Sequence, residues 1–365
     1  MTLGNVNFDI ANIIANINSA ESAKALSLKN LIYKEYREVK GITDFNALKT
    51  GIKCNSKIGF IDLGNDFGFM ISTEGLASGC EYNECEANIT TSTKTWNTHG
   101  YNCEIKFCKA DMECAFAEWF GLNCNHADGE QDITDAFILF LSQYIAEKMK
   151  RAHWRIVWFN DSSLATTSAL YGGDGIWAKA LVSATANDNV IDIPENDNAD
   201  YATQDALDPQ RGFEVYSAIY DKILMDYKFS GKDMVILSTK RLAYNYLQYL
   251  RTHNQIECCF KQDVTSSVYD LYNLNIYGMP IVIVDEFDTI IREAGFTDLN
   301  DGTRWNNPHR VIATYKNNIP FGTCDAEVLD KVEVDYDKIN KDVILRSEFE
   351  IGTEVIFDDE VIVAI

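Results

Sequence analysis

Hydrophobic residues along this chain change their spacing several times, and the changes mark its elements. Over residues 6–36, Phe8, Ile13, Ile14 and Ile17, then Leu26, Leu28, Leu31, Ile32 and Tyr36, recur three or four apart. That interval predicts two amphipathic helical pieces. From Ile42 to about Cys108 the interval tightens towards two. Short strands are predicted in GIKCNSKIGFIDL (51–63), NDFGFMIS (65–72) and TKTWNTHGYNCEIKFC (93–108), with Gly and Asn as punctuation.

Helical spacing returns over 132–151, where Ile133, Ala136, Phe137, Phe140, Leu141, Tyr144, Ile145 and Met149 share a face. Glu130, Asp132 and Asp135 stand at its start and Lys148, Lys150 and Arg151 at its end, each group complementing the helix dipole. The following HWRIVWFND (153–161) is rich in β-branched and aromatic residues and predicts a strand.

Residues 160–207 read as connections around one short helix at IWAKALVSA (176–184). Beyond them, helix and strand alternate. Asp208 and Pro209 form an N-cap and first-turn pair, and Phe213, Tyr216, Ile219, Ile223 and Tyr227 line the helix behind them. MVIL (234–237) is a strand, Leu242, Ala243, Tyr246, Leu247 and Leu250 mark a helix, and MPIVIVDEFD (279–288) is a buried strand with an acidic tip. RVIATYKNNIPFGT, VILRSEFEIGTEVIF and VIVAI close the chain as strands. The element content is α+β, a small sheet with helices packed on it.

Composition narrows the function. The 365 residues are 46% hydrophobic, with 18 Tyr and 19 Phe, so the chain folds rather than staying disordered. Its 55 acidic and 32 basic residues give a formal charge of -23. Such a surface repels phosphate backbones, which argues against direct duplex binding and suits a wall that contains nucleic acid without trapping it. The first twenty residues lack a basic-then-apolar leader, and no apolar run approaches a membrane span. The expectation is a chain made in the cytoplasm whose ten cysteines remain thiols.

Chemistry is sparse. In a nucleotide-driven motor, MPIVIVDEFD would deliver a magnesium-binding Asp285 and a water-polarising Glu286. The phosphate cradle is missing, because the nearest string, YKFSGKDM, has Asp226 where the first Gly belongs and Asp233 in place of the hydroxyl. Gly172-Gly173-Asp174-Gly175 lacks the Lys-Ser/Thr that would follow. Cys103, Cys108, Cys114, Cys124 and His126 cluster in sequence without a Cys-x-x-Cys knuckle, so core thiols are the better reading. None of the five histidines stands beside a nucleophile elbow, and Asp298-Leu-Asn-Asp-Gly302 reads as a turn rather than a calcium loop. Catalytic, cofactor-binding and metal-binding residues are therefore all expected to be absent. The alternatives are a metal-dependent α/β enzyme using Asp285 and Glu286, or another oligomeric virion protein.

Several strings in their order resemble the major capsid proteins of tailed bacteriophages with the Hong Kong 97-type fold. They are GIKCNSKIGFI (Gly51 to Ile61), KTWNTHGYNCEIKFCKADMECAFAEWF (Lys94 to Phe120), RIVWFND (Arg155 to Asp161), GDGIWAKAL (Gly173 to Leu181) and PHRVIATYKNNIPFGT (Pro308 to Thr323). The resemblance implies an N-terminal arm at 1–45, an extended β-hairpin loop region at 46–105 and a peripheral domain at 106–204 with a spine helix at 132–151. It further implies an axial domain with a central sheet at 205–307, and C-terminal strands at 308–365 returning to the peripheral domain. The function implied is self-assembly into hexamers and pentamers of an icosahedral head, a virion shell assembled in the host cytoplasm around double-stranded DNA. Partners implied are further copies of the chain and portal, scaffold and decoration proteins, with no cofactor, no membrane and no sequence-specific DNA contact. Covalent crosslinking is not expected, since no Lys–Asn pair with a catalytic Glu is identifiable.

Overall fold

The computed structural model describes residues 26–27, 42–53, 55–62, 90–108, 148–225, 229, 234–253, 274–325, 331–337, 339–340 and 342–365. Its strands in chain order are β1 (Leu26–Ser27), β2 (Leu48–Lys49), β3 (Lys57–Asp62), β4 (Thr90–Thr95), β5 (His99–Cys108), β6 (Val190–Ile191) and β7 (Met234–Ser238). They continue as β8 (Asn275–Ile276), β9 (Met279–Ile283), β10 (Val311–Tyr315), β11 (Phe321–Gly322), β12 (Lys331–Asp337), β13 (Asp342–Thr353) and β14 (Ile362–Ala364). The helices are α1 (described over 148–159), α2 (Ile176–Ala186), α3 (Tyr201–Asp205), α4 (Arg211–Met225), α5 (Lys240–Thr252) and α6 (Asp285–Arg292).

The near-continuous apolar strands assemble in one six-stranded sheet, in the order β6-β14-β10-β7-β9-β8. Strand β7 runs parallel to β9 and antiparallel to β10, which is antiparallel to β14. Alternate residues feed two cores. Leu237, Ile312 and Val363 face a cluster built on Trp154, Trp158, Trp177 and Phe287. Ile236, Val311, Ala313 and Ile362 face a second cluster with Tyr216 and Ile219 of α4 and Leu242 and Tyr246 of α5. Burial on both faces is why MVIL, RVIATY and MPIVIV read as apolar runs instead of alternating. The expected α+β class holds.

A second sheet runs β1-β12-β13-β11-β2, with β5 also paired along β13. The β5–β13 ladder extends from His99↔Ile351 to Cys108↔Asp342. Strands β3 and β4 pair antiparallel by themselves, from Lys57↔Thr95 to Asp62↔Thr90.

Four local expectations need correction. HWRIVWFND is not a strand, because 153–159 is the C-terminal part of α1. Trp154, Ile156, Val157, Trp158 and Phe159 are all buried, so this helix is enclosed nearly all round and its sequence loses the amphipathic signature of a surface helix. Leu26 and Ser27, expected within a helix, pair with Val332 and Lys331, a tertiary contact overriding local spacing. The α4 helix starts at Arg211, two residues after Pro209, because Asp208 closes a turn on the N–H of Gln210 first. The acidic tip behind β9 is the first turn of α6, where Asp285, Glu286 and Asp288 meet the positive end of the helix dipole. Of the expected 132–151 helix, 148–151 is helical and the remainder lies outside the described residues, as do the arm helices other than Leu26 and Ser27.

Candidate functional site

The MPIVIVDEFD stretch is fixed in the core by Phe287. Phe287 is fully buried, and its ring meets Trp154, Trp158, Phe159 and Trp177 at centroid distances of 6.0, 4.8, 5.8 and 5.2 Å. Helix α6 therefore anchors β9 onto α1 and α2 through one aromatic side chain. Asp285 and Glu286 are successive helical residues about 100° apart around the axis, so they diverge. Asp285 lies 3.5 Å from the ammonium of Lys240. Asp288 accepts the backbone N–H of Lys240 at 2.7 Å, capping α5 where the Thr239 side chain makes no cap bond. Burial pushes its carboxyl up to about 6, against the opposing pull of that N–H and of Arg292.

The other motifs resolve into structure as well. Cys103 and Cys108 are exposed on β5, not core thiols as expected, while Cys114, Cys124 and His126 lie outside the described residues. Strand β5 is an outer strand with little over it, which leaves these two thiols at the surface. Among the described residues no group of three His, Cys, Asp or Glu side chains could hold a metal ion. Gly173 and Gly175 leave no room for a Cβ, which would fall 2.3 Å from the His99 ring and 2.8 Å from the Trp158 backbone. That run is a close-packed entry to α2. Asp301 accepts from the Thr303 hydroxyl and from the Arg304 and Thr303 N–H groups, which hold its carboxyl down at about 2, and Asp298 accepts from the Ser168 hydroxyl. Residues 298–304 thus form the turn their sequence suggested.

A buried polar network joins distant segments. The Asn196 side chain donates to the His309 carbonyl at 2.9 Å and accepts its N–H at 3.0 Å. Gln204 donates to the Asn196 and Trp305 carbonyls, and its own carbonyl meets His309 Nε2 at 2.8 Å. Burial lowers the His309 pKa, favouring the neutral ring.

The surface carries the more informative geometry. Eight of the ten residues of β5 are exposed, including Ile105, and it pairs on β13 alone among the described strands. Glu104 accepts from Arg346 at 2.9 Å and pairs with Lys106 at 2.9 Å, so charge blunts part of this open edge. The β3–β4 hairpin is fastened at its base. Lys94 donates to the Val355 carbonyl at 2.6 Å and to Asp358 at 2.7 Å, and Ser183 of α2 donates to the same carboxylate at 2.6 Å. Sequence reasoning missed this clamp, since no local spacing links residues 264 apart. No helix among the described residues is long and apolar enough to cross a membrane.

No protein-family model matches the chain, and no curated protein matches its sequence. Solved structures with a similar course include the capsid of the cyanophage P-SCSP1u, at 13% identity and a TM-score of 0.47 over 92% of this chain and 90% of that one. Gordonia phage Cozz gives 13% identity and a TM-score of 0.47 over 91% and 89%. The satellite phage P4 procapsid with its size determination protein gives 10% identity and a TM-score of 0.47 over 90% and 95%.

Proposed function

We propose that the chain is the major capsid protein of a tailed bacteriophage, assembling as hexamers and pentamers into an icosahedral head around double-stranded DNA. The observation that carries the reading is the long, two-sided exposure of β5 beside a hairpin that forms a sheet of its own. A two-stranded hairpin is marginal alone in water, and an open strand edge invites pairing, so both elements make physical sense when neighbours cover them. The order of the resembling strings supports the same reading. The charge of -23 suits a wall that must not bind its contents tightly.

On this reading the chain divides as an arm (1–45), a hairpin region (46–105), a peripheral domain (106–204), an axial domain (205–307) and returning strands (308–365). Individual subunit contacts are weak and act by number. Portal, scaffold and decoration proteins complete the particle, which is a virion component assembled in the host cytoplasm. The chain has a shape as its product and no chemistry of its own.

Negative-stain microscopy of the chain expressed alone, and then with the neighbouring candidate scaffold gene, tests the proposal. Closed shells, tubes or hexameric rings are expected. A small monodisperse species in both preparations overturns it and redirects attention to metal titration at Asp285 and Glu286.

A further inference from the structure

A cleft of about 170 Å³ opens between α1, α2 and the 298–310 segment. Arg310 lines it and is only 8% exposed. Its Nε and Nη2 donate to the carbonyls of Asn307 and Asn306 at 2.8 and 2.9 Å, and its guanidinium lies 5.5 and 5.6 Å from the ring centroids of Phe159 and Trp177. No carboxylate among the described residues forms an ion pair with it. A buried guanidinium without a counter-charge costs the fold energy that an apolar residue of similar size would not. Burial alone draws its pKa down to about 10.

We propose that this cleft is a socket for a monocarboxylate, with Arg310 as its cationic floor. The space is comparable to cavities that admit a small organic molecule. Its lining places the polar residues Asn160, Asn306 and Asn307 beside apolar Leu164, Leu170 and Leu181, which matches a carboxyl group on a short aliphatic stem. Asp161 and Asp298 also line the cleft. Their charge opposes any anion, and a doubly charged phosphate most, so the apolar stem rather than the charge must favour the monocarboxylate. The carboxylate is either a free small acid or an Asp or Glu side chain of a neighbouring copy. The second source rests on the capsid reading and the first does not.

Propionate titrated into the soluble full-length chain at constant ionic strength, against chloride and phosphate, is the test. Tryptophan fluorescence is the readout, since Trp177 lies beside the guanidinium. A saturable response to propionate, with weak or no response to either inorganic anion, is expected. Arg310→Gln should weaken propionate by at least ~10-fold, the usual loss with a charge-assisted hydrogen bond, while Arg310→Lys should weaken it less. Equal responses to all three anions, or none, overturn the socket. This titration needs no mutant to fold, and it stands whether or not shells form. Repeating it on assembled particles identifies the source. Lost propionate binding there means that a neighbour's side chain fills the cleft, and retained binding means a free acid; both sustain the carboxylate chemistry.

Discussion

The ring of Phe287 meets that of Trp158 edge to face, with centroids 4.8 Å apart. It joins the turn after β9 to the enclosed helix α1, and the carboxylates around it serve the helix terminus. Phe287→Ala should destabilise the chain by about 3–5 kcal/mol, the cost of a large aromatic lost from a core. The double change Asp285→Ala with Glu286→Ala should cost less than about 2 kcal/mol, the scale of two dipole-facing charges. Urea unfolding of both variants measures the contrast. A particle-forming Asp285/Glu286 variant is expected alongside it, and loss of a measurable hydrolysis in that variant would point to an enzyme.

The Asp288 carboxyl gives the fold a pH signature. Its pKa is raised in the fold to about 6, so the folded chain holds a proton that the unfolded chain has released. The resulting stabilisation is complete below about pH 4 and fades as pH rises through 6, by something of order 1–3 kcal/mol. Asp288→Asn keeps an acceptor for the Lys240 N–H and should remove that slope. His309 has the opposite sign. Its folded pKa is lowered, so stability falls as pH drops below the ordinary histidine value of about 6.5. Urea midpoints from pH 4 to 8 should therefore show the His309 slope uncovered in the Asp288→Asn protein. An unchanged profile in that variant would refute the assignment.

Lys94→Met should loosen the hairpin without unfolding the chain. The residue lost is a partly exposed ion pair plus one carbonyl contact, together about 1–2 kcal/mol. Amide exchange over Thr90–Thr95 is expected to rise while the β7 and β10 amides stay protected. Uniform protection across both regions would mean that the clamp holds nothing.

Ile105→Lys separates folding from assembly. The side chain is 37% exposed on β5, so the isolated chain should change stability by no more than about 0.5 kcal/mol. A lysine on an open strand edge blocks pairing with another chain. Particle yield should drop sharply in the same expression system. Normal shells from this variant would show that the strand faces no neighbour.

Residues whose environment is local were readable in advance. Leu242, Ala243, Tyr246, Leu247 and Leu250 all point into one core, and β7 and β9 fall where the apolar runs lie. Residues 153–159 were misread because a helix buried on every side and a buried strand share one composition. The start of α6 could have been found, since three acids in four residues behind a strand are a helix-start signal. The cleft around Arg310 and the clamp on Asp358 had no signal at all, because segments far apart in sequence build both. The exposure of β5 was hidden for a related reason. Alternation tells which residues oppose each other but not whether anything covers either face.

The position of β14 between β6 and β10 bears on how the chain is made. Synthesis produces Val190–Ile191 and Val311–Tyr315 well before Ile362–Ala364, so the strand that joins β6 to the rest of this sheet is made after both of its neighbours. Until then β6 and β10 each present an open edge and both cores lack the β14 side chains, a state prone to wrong pairing. Products cut short before Ile362 would stay in that state, with the apolar partners of Ile362, Val363 and Ala364 left uncovered.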